Sequence, residues 1–201
     1  MVYRRIIEWP NSILGNISRD VKLEKDKKII KDLLDTFKIV GGYGLSSPQI
    51  GYSIRAIVIN EHALYRDESS SQALLMINPR ILERKEKRTF DEACFSLPSF
   101  SFDIERSAEV EVEWTNIEGQ KESKRFKDYG SACVQHEIDH LDGILTIDKI
   151  SQFRRSMIVK KNNKKKTQEK RALGLSSEEK SKQKSLKTRK KNRKNRKVSK
   201  K

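Results

Sequence analysis

Histidine is scarce in this chain: there are three in 201 residues, and two of them fall within His136-Glu137-Ile138-Asp139-His140. Cysteine is scarcer still, with only Cys94 and Cys133, so no disulfide framework is expected and a reducing compartment fits. No apolar run approaches the ~18 residues of a membrane span. Glu8 and Pro10 interrupt the first ten residues, which excludes a secretory signal core there. The expectation is a cytoplasmic protein with no membrane partner. The glycine-rich stretch Gly42 to Gly51 is followed by Tyr52-Ser53, not by the Lys-Ser/Thr of a phosphate-binding loop, which argues against nucleotide binding. No internal repeat is visible.

Charge is divided sharply along the chain. Residues 1–150 carry 22 Lys+Arg against 25 Asp+Glu, a balance of −3, while residues 151–201 carry 22 against 3, a balance of +19. The overall +16 therefore belongs to the C-terminal part. We divide the chain into a catalytic domain, residues 1–160, and a Lys/Arg-rich tail, residues 161–201. The tail is too poor in apolar residues to offset its chain entropy and is expected to be disordered. With no aromatic residue after Phe153 it can grip phosphates but cannot stack on bases.

The first domain alternates helical and strand patterns. Ile29, Ile30, Leu33, Leu34 and Phe37 recur at helical spacing within residues 24–40, with Lys27, Lys28, Lys31, Asp32 and Asp35 expected to face water. Residues 55–60, 74–78, 81–88 and 108–115 read as strands, and Glu118-Gly119 marks a hairpin returning through 121–126. Residues 130–141 form a helix, and 148–160 a second one with Ile150, Phe153 and Met157 on one side. The fold class is α+β: antiparallel strands packed around a central metal-binding helix, then a C-terminal helix and a basic tail.

The central helix carries the chemistry. Histidines at i and i+4 project from one face, so His136 and His140 can reach one metal ion. Glu137 stands beside them, placed to accept a proton from an activated water. A catalytic metal usually takes three protein ligands. Thr146 stands where a metzincin has its third histidine, and the only glutamates after the motif are Glu169, Glu178 and Glu179, all in lysine-rich sequence. Cys133 lies about 10 Å of helix rise from His140, and its side chain leans away from it. That leaves Cys94 as the third ligand.

Three motifs together resemble the peptide deformylase family: Glu92-Ala93-Cys94-Phe95-Ser96-Leu97-Pro98, Gln135 to Gly143, and Gly42-Tyr43-Gly44-Leu45-Ser46-Ser47-Pro48-Gln49-Ile50-Gly51. The similarity runs over roughly residues 1 to 160. Four residues depart from the family pattern. Ser46 and Ser47 replace two alanines and add hydroxyls that need partners. Ala93 replaces a glycine, so a positive φ there would be strained. Phe95 replaces a common leucine.

The resemblance implies a hydrolase that removes formyl from the N-terminal formyl-methionine of nascent peptides. It implies ferrous iron as the native metal, with zinc, nickel or cobalt able to substitute. It makes Gln49 and the Phe95 N–H the oxyanion donors and Arg106 the partner of Glu92. Gly44 would let the peptide lie against the backbone, and Tyr43, Tyr129 and Cys133 are candidates for the methionine pocket. Because the substrate emerges from ribosomes, the tail is read as an arm for ribosomal RNA; a monomer is expected. Two alternatives are an impaired deformylase acting as an RNA-tethered binder, and a zinc peptidase.

Overall fold

The computed structural model describes residues 1–65 and 73–172. Its first helix, α1 (Leu23–Val40), ends where the Gly41 N–H bonds the Phe37 carbonyl. Then come β1 (Gly44–Ser46), β2 (Ala56–Ile59), the short α2 (Glu61–Tyr65), β3 (Leu74–Ala93), β4 (Ser101–Thr115) and β5 (Lys121–Lys127). The metal-motif helix α3 (Asp128–Leu141) follows. Among the described residues the strands make one antiparallel sheet in the order β1-β2-β3-β4-β5.

Alternation along β2 divides the core. Ala56 and Val58 join Ile30, Leu33 and Phe37 of α1, with Leu45, Ile50, Ile54 and Ile77. Ile57 and Ile59 turn to the other face, against Val134, Ile138 and Leu141 of α3. All four β2 side chains are buried, because both faces of this strand are covered. On β4 the alternation is one-sided. Val110, Val112 and Trp114 pack with α3, while Glu109, Glu111 and Glu113 pair outward with Lys127, Arg125 and Lys121 of β5.

Two expectations need correction here. The stretches 74–78 and 81–88 are not separate strands around Pro79 but one long strand with register shifts between Ile77/Arg80 and Ile81/Glu83. The irregularity absorbs the missing proline N–H. Asn78, at φ 52°, pins it by accepting from the Val21 N–H at 2.7 Å. Nor does the acidic side of α1 face water. Asp32 and Asp35 are buried, because residues 2–4 lie over them: the Arg4 guanidinium donates to Asp32 at 2.7 Å and the Val2 N–H to Asp35 at 3.0 Å.

The chain forms two compact units, Met1–Ile150 and Ser151–Lys201. Within the second, α4 spans Gln152–Ala172, so the helix continues beyond the expected start of the tail at 161. Residues 173–201, most of that tail, lie outside the described residues. On α4, Phe153 and Met157 are 74% and 56% exposed. No helix among the described residues is long and apolar enough to cross a membrane.

At the end of α3, Gly143 adopts φ 73°. A Cβ there would stand 2.6 Å from the Gly15 carbonyl oxygen, so both conformation and space require glycine. Gly143→Ala should destabilise the fold by about 1–3 kcal/mol. A urea titration checks this, and an unchanged midpoint contradicts it.

Candidate active site

β3 ends at Ala93 and delivers Cys94 beneath α3, which carries His136 and His140 on consecutive turns of one face. The imidazole rings stand 4.9 Å apart between centroids. The ligand atoms of Cys94, His136 and His140 all lie within 4.8 Å of one another, and Cys94 Sγ is 3.3 Å from His140 Nε2. One sulfur and two imidazoles form a three-donor set suited to a borderline divalent ion. Burial, then the charges of His136 and Arg106, hold the His140 pKa well below its ordinary value.

Behind the donors runs a chain of buried charges. His136 Nδ1 meets Glu92 Oε2 at 2.9 Å, which directs the other ring nitrogen away from Glu92. Arg106 grips Glu92 with two bonds, Nε at 2.7 Å and Nη2 at 2.9 Å. Burial pushes the Glu92 pKa up, but hydrogen bonds from Arg106 and His136 outweigh it and hold the carboxyl below its usual range. Arg106 also pairs with Asp139, which in turn meets Lys149 Nζ at 3.0 Å. The sequence reading missed Asp139. Its signal was a carboxylate set between apolar Ile138 and the proposed ligand His140, on a helix expected to be buried.

Glu137 is buried, and its Oε2 has no protein partner. Burial is the main cause pushing its pKa up to about 7. Its other oxygen abuts Gly44, where a Cβ would come within 2.7 Å of it. Gly44 thus makes room for the Glu137 carboxylate, as well as lying open along β1. Cys133 stands beside both and is not one of the three clustered donors. Burial, then the charge of Glu137, drives its thiol pKa well up.

Gln49 sits in a single 3-10 turn, Ser47–Ile50. Its Oε1 accepts from the Ser46 N–H at 2.9 Å and the Ser46 hydroxyl at 3.0 Å. That leaves Nε2 directed at Cys94 Sγ, 3.5 Å away, and Ser96 Oγ, 3.4 Å away. The Ser47 hydroxyl bonds the Ala56 carbonyl at 3.0 Å. Both serines are therefore satisfied. Ala93 is not among the positive-φ residues, so replacing glycine there brings no strain.

A cavity of about 680 Å³ opens onto these groups. Gln49, Cys94, His136 and Glu137 line it, as do Tyr43, Gly44, Phe95, Tyr129 and Cys133. Tyr43 and Tyr129 are 61% and 60% exposed and stand at its rim. Leu64, Ala63 and Ala132 also line it; nothing in the motifs pointed to them.

A family model described as polypeptide deformylase matches residues 3–156. The peptide deformylase of Brucella suis biovar 1 is 34% identical over 167 residues, covering 82% of this chain and 94% of the relative. That of Pelagibacter ubique is 35% identical, covering 82% and 95%. The crystal structure of a peptide deformylase from Legionella pneumophila superposes with a TM-score of 0.74 at 30% identity, covering 85% of this chain and 99% of that one. One from Ehrlichia chaffeensis in complex with actinonin gives 0.73 at 28%, covering 82% and 98%.

The donor geometry generates a metal-binding prediction. Cys94→Ala should abolish the sulfur-to-metal absorption of the cobalt-loaded protein, and Cys133→Ala should retain it. Glu92→Gln should weaken metal affinity by about 10- to 100-fold, because it loosens the support of His136. The reverse pattern between the two cysteines would place the thiolate on α3.

Proposed function

The chain belongs to the polypeptide deformylase family, and from that premise we propose that Cys94, His136 and His140 hold its metal and that Glu137 moves the proton. The protein is a metal-dependent hydrolase that removes the formyl group from nascent polypeptides. The observation that carries the assignment of roles is the buried Glu137 carboxyl beside the three-donor cluster, with one oxygen unpartnered and its pKa near neutrality. We assign ferrous iron as the native ion, with zinc, nickel or cobalt able to replace it.

When bound, the ion supplies Lewis acidity toward water and toward the formyl carbonyl. Glu137 Oε2 takes a proton from the attacking water. As the formyl carbon–nitrogen bond breaks, Glu137 gives the proton to the departing amine, and formate leaves. Gln49 Nε2 and the Phe95 N–H donate to the carbonyl oxygen as negative charge develops on it. Among the described residues β1 pairs with β2 alone, so the peptide backbone can add along its other edge at Gly44. Tyr43, Tyr129 and Cys133 flank the methionine side chain in the cavity. No observation favours a peptidase or an inactive binder: the donor set is Cys94 with two histidines, and Ser46, Ser47 and Ala93 are accommodated.

We further propose a cytoplasmic monomer tethered to ribosomal RNA by its basic end. The support is the +19 balance of residues 151–201 against −3 in residues 1–150.

Glu137→Gln should keep its metal and lose about 10²–10⁴-fold in formate release from formyl-Met-Ala-Ser. Near-wild-type turnover would remove Glu137 from the mechanism. A chain ending at Ala172 lacks 13 Lys+Arg and 2 Asp+Glu. It should deformylate the free peptide at the full rate yet co-sediment far less with ribosomes at low salt. Equal co-sedimentation across a salt series would leave the tail without that role.

A further inference from the structure

Gln49 and Cys94 reach the same spot from segments far apart in the chain, and the hydrogen bonds between those segments are weak. Gln49 Nε2 makes both of them among the described residues, at 3.5 Å to Cys94 Sγ and 3.4 Å to Ser96 Oγ. Donation from that amide to a substrate oxygen, as proposed above, competes with these two links at the moment when alignment matters most.

A third element ties the two segments together independently of the Gln49 side chain. The Ile7 N–H donates to the Gln49 carbonyl at 2.7 Å, and the Trp9 N–H donates to the Ser96 carbonyl at 2.9 Å. Residues 7 and 9 thus bridge the Gln49 turn and the Cys94 loop through main-chain bonds that no side-chain rotation can break. The strap is anchored upstream. Val2 and Arg4 donate their N–H groups to Asp35 at 3.0 Å and Thr36 at 3.1 Å, and the Arg4 guanidinium holds buried Asp32. Ile6 packs against the α1 side of the core. Two of the buried acids of α1, Asp32 and Asp35, serve this strap as acceptors.

We propose that the N-terminal strap is a positioning element of deformylation, and that the Ile7 and Trp9 N–H groups fix the gap between the Gln49 donor and the Cys94 corner during turnover. The proposal rests on the role given to Gln49. None of residues 2–9 lines the cavity, so their effect should appear in kcat and pass through Gln49. Misplacing a reacting group by about 1 Å can cost on the order of 100-fold.

The test is a double-mutant cycle in the full chain, with kcat and KM for formyl-Met-Ala-Ser as readouts. Ile7→Pro removes the N–H, and Ile7→Val keeps it. Ile7→Pro should lower kcat by about 10- to 100-fold, with KM and the cobalt–thiolate absorption unchanged, while Ile7→Val restores the rate. In a Gln49→Ala background the Ile7→Pro loss should shrink to less than about threefold, because the two changes damage one function. Arg4→Ala loosens the anchor, removing its ion pair with buried Asp32, without placing proline in the strap. It should reproduce the kcat-only loss and its disappearance with Gln49→Ala, should Ile7→Pro fail to fold. An unchanged kcat in the variants that fold, or a loss of equal size in both backgrounds, overturns the strap while leaving Gln49 in place. A Gln49→Ala protein as fast as wild type overturns the role of Gln49 and the strap with it.

Discussion

The guanidinium of Arg106 holds a full charge where almost no water reaches, and the centre is arranged around keeping it satisfied. Two carboxylates, Glu92 and Asp139, approach it from different elements. Glu92 then orients His136, and Asp139 lies next to His140 in sequence, so one cation braces both histidine turns of α3. Removing Arg106 would leave the buried Glu92 carboxylate without its cation, at a cost of about 3–5 kcal/mol. The geometry of the proposed metal donors is thus coupled to an ionic cluster whose members must all be present. Lys149 extends the same alternation of charge toward the surface.

That cluster is useful only because α3 is held against the sheet. The hold is apolar. Ile57 and Ile59 of β2, Met76 of β3 and Val110, Val112 and Trp114 of β4 all meet Val134, Ile138 and Leu141. The spacing of these helix residues leaves Cys133, His136, Glu137 and His140 to face Cys94 and the cavity. One helix therefore presents apolar residues to the sheet and donors to the site, and turning it would spoil both. The same burial that excludes water raises the Glu137 pKa to about 7, so packing and chemistry are one effect seen twice.

Departures from the family pattern are absorbed locally. Ser46 directs Gln49 by donating to its oxygen from both its N–H and its hydroxyl, of which an alanine would keep only the first. Ser47 bonds the β2 backbone, and Ala93 occupies ordinary strand conformation. Phe95 lies close over Gly42, which has no side chain to obstruct its ring.

Periodicity and motif spacing were enough to place α1, the alternation of β4, the hairpin at Gly119 and the face shared by His136 and His140. Those are local facts: each depends on residues within a turn or a strand of one another. Cys94 was reached by elimination, since so few ligating residues exist in the chain. The sequence could not reveal that Pro79 sits within one continuous strand, because a bulge is stabilised by Asn78 reaching Val21 far upstream. Nor could it reveal that Asp32 and Asp35 are buried, that Asp139 joins Arg106, or that residues 7 and 9 bridge the two site loops. Each of these is a contact between segments far apart in the chain. A residue's own pattern states how it prefers to be placed; only folding decides which distant partner it meets there.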